Sequence, residues 1–111
     1  MSEERYDPDH KAKIDDLLLV MPGVKGGKAF GYPAYKASDK VFAFVRRKEI
    51  GIKLPAARVA SLIASHPDVM GTFEPGRGIV WKEWLTICRD NMQDYEQDVS
   101  LFEESVDFVL G

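Results

Sequence analysis

Two histidines, one cysteine, two tryptophans and four tyrosines are the side chains from which a proton, a nucleophile or a stacking surface would have to come. His10 stands in the first turn of an expected helix and His66 at the end of another. Spacing places no second titratable group beside either. His10 therefore reads as an exposed surface residue, and His66 as a charge favourable at a helix C-terminus. Cys88 closes an apolar run and reads as a small buried hydrophobe, because a reactive thiol needs a His or cationic neighbour. Glu74 and Glu83 flank a turn-rich stretch, but nothing sets their separation, so a glycosidase-type carboxylate pair has no support. Gly26-Gly27 between Lys25 and Lys28 could offer backbone N–H groups to a phosphate. It lacks the Gly-Lys-Ser/Thr ending of a P-loop and precedes a strand, so it reads as a loop. The sequence thus assigns no catalytic residue, no cofactor site and no metal site. What remains is a set of aromatics, Tyr32, Tyr35, Trp81 and Trp84, as candidates to line a pocket or interface. Beside them stand the cations Lys36, Lys40, Arg46, Arg47 and Lys48, as candidates to contact an anionic partner.

Most of these candidates fall in or next to the stretch FGYPAYKASDKVFAFVRRKEIGIKLP, residues 30–55. Three β-type runs follow one another there, with Ser38-Asp39 as a tight turn and Arg47-Lys48-Glu49 as a slightly longer one. Alternation puts Phe42 and Phe44 on one face and Val41, Ala43 and Val45 on the other. Ile50, Ile52 and Leu54 share a face, with Gly51 and Lys53 pointing away. The expectation is a three-stranded meander with Phe42, Phe44, Ile50, Ile52 and Leu54 in the core. Pro33 cannot donate to a ladder, so the first run is expected to be an edge strand or to bend there.

Helices flank this sheet. Asp7-Pro8 is an N-cap followed by a proline suited to the first helical position, and Ile14, Leu17, Leu18 and Met21 make an apolar stripe that Pro22-Gly23 ends. Pro55 opens a second helix with Ala56, Val59, Ala60 and Ile63 as a slim apolar face, stopped by His66-Pro67-Asp68. A second hairpin follows, with Thr72-Phe73-Glu74, a turn at Pro75-Gly76-Arg77-Gly78, and IVWKEWLTI. Parity puts Trp81 and Trp84 on opposite faces, one in the core and one partly exposed. Asp94 to Gln97 reads as a capping box before a broad amphipathic helix carrying Val99, Phe102, Val106 and Val109. The fold class is α+β, an antiparallel sheet of a three-stranded meander plus a second hairpin, flanked by N-terminal, middle and C-terminal helices in one domain over residues 1–111.

The 111 residues suit one domain able to bury a core without disulfides. A single cysteine excludes an internal disulfide and a Cys-rich zinc site, and is compatible with a reducing cytoplasm. No apolar run approaches the roughly 20 residues that span a bilayer, and the polar N-terminus MSEERYDPDH is unlike a secretory signal. The net charge of −3 hides an asymmetry: residues 24–58 hold nine Lys/Arg against two Asp/Glu, and residues 59–111 hold three against ten. The ordinary reading is a solvated sheet balanced by acidic helices. The sharper one is a basic face for an anionic partner or for the acidic helix of a second copy. The second anticipates a homodimer.

The segments KAFGYPAYKASDKVFAFV…GIKLP (28–55) and FEPGRGIVWKEW (73–84) resemble the TfoX amino-terminal-domain family of competence-regulator-like proteins, also called Sxy. The matching elements are Phe30 to Tyr35, Lys40-Val41-Phe42-Ala43, Gly51 to Pro55 and Phe73-Glu74-Pro75. KEWLTI and the last helix are similar to the more distant YjbR family, whose members are often described as DNA-binding. The resemblance runs in element order from about Leu17 to Leu110. It implies an α+β domain of bacterial cytoplasm, without enzymatic activity, and is compatible with a homodimer. Full-length competence regulators carry a second, helical domain after this one, and the present chain ends at Gly111.

The expected function is therefore a non-enzymatic regulatory or protein-interaction module, with an unidentified protein partner. Two alternatives stand beside it. One is a transcription-related DNA-binding module using the basic hairpin. The other is a small-ligand-binding domain or enzyme using the aromatics. The acidic final helix and the low pI of about 5.3 argue that the isolated domain binds duplex DNA weakly or not at all.

Overall fold

In the computed structural model, which describes residues 6–76 and 78–111, the runs at 30–55 become the middle of a six-stranded antiparallel sheet. The residues before Tyr6, and Arg77 in the expected second turn, lie outside the described residues. The chain runs α1 (Pro8–Leu18), β1 (Val24–Ala29), β2 (Tyr32–Ala37), β3 (Lys40–Arg46), β4 (Glu49–Lys53), α2 (Ala56–Ser65), β5 (Met70–Gly76), β6 (Ile79–Ile87), a 3-10 helix (Met92–Asp98) and α3 (Val99–Leu110). Strand order is β1-β2-β3-β4-β6-β5. The α+β architecture of meander, second hairpin and flanking helices is as the sequence leads one to expect.

The Gly26-Gly27 segment is the first departure. It is not a loop but part of the edge strand β1, paired along its length with β2. Glycine in a strand has no side chain to pack, which weakens the sequence signal without forbidding the ladder. With β1 outside it, β2 is an internal strand. Pro33 pairs with Lys28 of β1, and the β2–β3 ladder begins only at Ala34 opposite Phe44. The missing N–H of Pro33 therefore costs no bond to β3.

A β-bulge decides the faces. Tyr35 pairs with Ala43 and Lys36 with Val41, so Phe42 is an extra residue on β3. Phe42 and Phe44 do not share a face. Phe42 joins Ala43, Val45, Ile50, Ile52 and Leu54 beneath the helices, while Phe44 joins Ala34, Phe73 and Trp84 on the opposite side. Ser105 of α3 bridges β3 and β4 just beyond the end of their ladder, which stops at Ala43 opposite Ile52. Its buried hydroxyl accepts from the Lys53 N–H at 3.1 Å and lies 2.6 Å from the Lys53 carbonyl and 3.0 Å from that of Phe42. Unpaired backbone groups are costly to bury, so the serine stands where a neighbouring strand residue would.

The helices cover one face. α1 contributes Ile14 and Leu18, α2 Val59 and Leu62, and α3 Leu101, Phe102 and Val106. In α2 it is Leu62, not Ala60, that is buried; Ala60 faces solvent. Asp7 caps α1 as expected, accepting from Asp9 N–H at 2.9 Å and His10 N–H at 3.2 Å. The capping box at Asp94 is displaced: Asn91 caps the 3-10 helix by accepting from Gln93 N–H, and α3 proper starts at Val99. Arg58 and Glu104 join α2 to α3 through two 2.9 Å bonds. No helix among the described residues is long and apolar enough to cross a membrane.

Candidate functional site: an aromatic and basic groove

The uncovered face of the sheet carries the aromatics. Ala29 and Tyr32 close the β1–β2 hairpin around Phe30 and Gly31, whose φ angles of 58° and 79° fit a two-residue type I′ turn. Glycine suits that conformation and phenylalanine does not, so Phe30 is held against its backbone preference. Its ring makes edge contacts with Phe44, Trp81 and Trp84, at centroid separations of 5.5, 5.1 and 5.7 Å. Phe73 lies 4.8 Å from Phe44 and 5.5 Å from Trp81. Offset and edge geometries of this kind are the favourable ones for aromatic pairs. Gly51 allows the arrangement: a Cβ there would stand 2.4 Å from Phe44 Cζ.

The two tryptophans do not lie on opposite faces. Thr72 pairs with Leu85, but Phe73 pairs with Trp81, and this register shift places Trp81 and Trp84 in one cluster. Trp84 is buried and Trp81 is half-exposed. Parity arguments fail wherever a strand gains residues relative to its partner.

Trp81 and Trp84 open onto a groove of about 940 Å³. Phe30, Val41 and Val80 line it from the sheet, and Phe108 and Val109 from the end of α3. Lys40, Lys53 and Lys82 stand around it against one acid, Glu83. None of these four takes part in an ion pair among the described residues. The Lys53 ammonium lies 6.0 Å from the centre of the Trp84 ring, at the outer reach of a cation–π contact. The groove therefore offers apolar and π surface with uncompensated positive charge. Such a surface is suited to binding a ligand with apolar and acidic groups.

The candidate cations are dispersed. Lys40 borders the groove, whereas Lys36 lines a separate hollow of about 580 Å³ with Lys25 and Gly26. Arg46, Arg47 and Lys48 sit at the other end of the meander, where Arg47 and Lys48 form a two-residue turn with Arg47 at φ 54°. The Arg46 guanidinium lies 5.4 Å above the Phe73 ring. Lys48 Nζ is 4.0 Å from Asp7. Of the candidate aromatics, Trp81 and Trp84 meet in the groove, Tyr32 stacks on Phe44, and Tyr35 is buried under α1, donating its hydroxyl to Asp15. Burial, and after it that carboxylate, raise the Tyr35 phenol well above the ordinary tyrosine value.

A polar cluster that the spacing did not reveal lies at the α1 end. His10 is buried, contrary to expectation, and its Nε2 is 2.9 Å from the Tyr95 hydroxyl. That hydroxyl accepts from the Arg89 N–H and reaches the carbonyls of Lys48 and Ile87, each at 3.2 Å. Arg89 in turn grips the buried Asp98 through two bonds of 2.7 and 3.1 Å. The His10 Nδ1 has no partner among the described residues. Burial pushes the imidazole below its ordinary value; Asp7 opposes this and Lys48 adds to it. These residues are 85 apart in the chain, so only the fold could reveal the contact. Cys88, expected to be buried, is exposed, and its thiol is pushed up by local burial and by Glu49 and Asp90. That is the opposite of an activated thiolate.

The fold is similar to the crystal structure of Deinococcus radiodurans protein DR2400, a DUF419 domain, with a TM-score of 0.68. Identity is 17%, and the likeness covers 98% of this chain and 82% of that one. No family model matches the chain, and no curated protein matches it. At this identity the likeness speaks for the fold alone.

Proposed function

We propose that this chain is a non-enzymatic protein-interaction module of the TfoX amino-terminal type, acting in regulation through the aromatic and basic groove. One observation carries the reading. Three lysines and one glutamate, in no ion pair among the described residues, border a groove walled by Trp81, Phe30, Val80 and Phe108. Exposed aromatic anchors rimmed by charge are the ordinary anatomy of a protein-docking patch. The FGYPAY, KVFA, GIKLP and FEP segments support the family reading. The DNA-binding alternative has less behind it. Arg46 is engaged with Phe73, Lys48 is near Asp7, and Arg58 is held by Glu104, so few cations remain together for phosphates.

A photo-crosslinking residue at Val80, in cells expressing the chain, tests the reading. A discrete protein adduct is expected, and it should disappear in the Lys53→Glu, Lys82→Glu double variant. The same label at Val20, on an exposed turn beyond α1, should not yield that adduct. An identical adduct from both positions, or turnover of a substrate that tracks the purified protein, would overturn the proposal.

A further inference from the structure

The groove is lined by five consecutive residues of one strand, Val80 to Trp84. The lining also joins Phe30 and Trp81 of the open face to Phe108 and Val109 at the end of α3, the helix that packs on the other face. The cavity therefore lies at an edge of the sheet, not across one of its faces. The pairing shows which edge. β4 pairs with β6 only from Trp84 to Ile87, and the last bond on that side runs from the Leu54 N–H to the Glu83 carbonyl. Beyond it the chain turns into α2, and no described strand pairs with residues 79–82 there. Ile79 and Val80, at the start of β6, are 53% and 41% exposed. An open strand edge is a template for another strand.

We propose that this edge of β6 binds an extended acidic segment of a partner protein by strand addition, as a further strand in the groove between β6 and the end of α3. Backbone hydrogen bonds to β6 would hold the segment, and alternate side chains would meet the two sides of the groove. Its apolar side chains would seat against Trp81 and Phe108. Its acidic ones would meet Lys53 and Lys82, since the lining carries three lysines and one glutamate. This inference rests on the groove-docking reading above and specifies the form of the partner.

Synthetic octapeptides alternating Glu with Leu, Val or Phe are the probes. Both tryptophans of the chain line the groove, so their fluorescence reports occupancy. At least one such peptide should shift the emission saturably. Methylation of every second backbone nitrogen on the bonding edge should weaken it about tenfold, through lost donors. A matching peptide with Lys for Glu should bind at least as much more weakly. Equal binding of the methylated and unmethylated peptides overturns strand addition while leaving groove docking standing. Equal binding of the Lys peptide overturns the acidic partner. Absence of binding by all of them overturns the proposal, and the Val80 crosslink then decides independently whether the groove docks anything. Dimer formation through this edge, seen by light scattering and abolished by Lys82→Glu, would make the occupant a second copy and overturn it as well.

Discussion

The two faces of this sheet are built from different chemistry. The face beneath α1, α2 and α3 is mostly aliphatic, with Ile14, Leu18, Ile50, Ile52, Leu85 and Ile87 fully excluded from water. The other face is a cluster of rings, Phe44, Phe73 and Trp84 inside and Phe30 and Trp81 outside. No helix among the described residues covers it; the ring of Phe30, at the β1–β2 turn, leans across it instead. An aliphatic layer needs a partner layer, because its free energy is almost wholly area removed from water. A ring cluster can shield part of itself and still present π faces and edges outward. The first face answers for stability, and the second for stability within and recognition at its rim.

The sharpest test of that division compares two fully buried phenylalanines. Phe102 lies under the helices and Phe44 within the ring cluster. Either Phe→Ala change should cost about 3–5 kcal/mol in urea unfolding. If F44A proves nearly neutral, the ring cluster is not a core and the comparison collapses.

Two smaller changes probe how each face is held. Gly51→Ala sets a Cβ against the Phe44 ring and should cost about 1–3 kcal/mol by overpacking. Ser105→Ala leaves the backbone at the Phe42 bulge without its hydroxyl partner, for about 1–3 kcal/mol. Combining G51A with F44A should recover part of the G51A loss, because the clash goes with the ring. Strict additivity would show that the ring is not what excludes a larger residue at 51.

How much of this was legible in the sequence divides along the same line. Strands β2 to β4, the Ser38-Asp39 turn and the Asp7 cap followed from alternation and local hydrogen bonding, which act over a few residues. The bulge at Phe42 did not, because it depends on how β2 and β3 pair, and the residue that meets the Phe42 carbonyl, Ser105, is 63 positions away. The same is true of the shared cluster of Trp81 and Trp84, set by pairing with β5, and of His10 with Tyr95. The candidate site was half legible for this reason. Trp81, Trp84 and Lys40 were recognised by type, whereas Phe30, Lys53, Lys82 and Phe108 reach the groove only through hairpin curvature and helix placement. Tyr35 was misread as a pocket residue because a tyrosine under a helix and one at a surface look alike in sequence until its Asp15 partner is known.

His10 offers a test by pH of the helix-covered side. Its folded-state pKa lies below the ordinary 6.5, so the unfolded chain takes up the proton first as pH falls. The stability contributed by neutral His10 is complete above pH 6.5 and is lost as pH drops below it. Asp7, Lys48 and Tyr95 face it, and Asp9, Arg89 and Asp90 line the same hollow. Relative to His10→Gln, the native chain should lose more stability between about pH 7.5 and about pH 5.5 in urea unfolding. Parallel curves for the two proteins would show that His10 is not the group responsible.

The smallest expected effect on stability falls on Phe30, and it is the most informative about the open face. At φ 58° a phenylalanine pays roughly 1–2 kcal/mol for the left-handed backbone. It recovers a comparable amount from its three edge contacts, at roughly 0.5–1.5 kcal/mol for a well-placed pair. Phe30→Asn would create the Asn-Gly pair that a type I′ turn favours, relieving the first term while losing the second. The net change in stability should stay within about 1 kcal/mol of zero by these two opposed terms. Binding of the acidic octapeptides should nevertheless weaken about tenfold, because a ring that is 43% exposed at the groove is removed. A residue held in an unfavourable conformation without gain in stability is explained if its exposed surface is what the fold retains. Should F30N instead destabilise the protein as severely as F102A and leave peptide binding unchanged, Phe30 would be one more core residue. The open face would then differ from the covered one in composition alone.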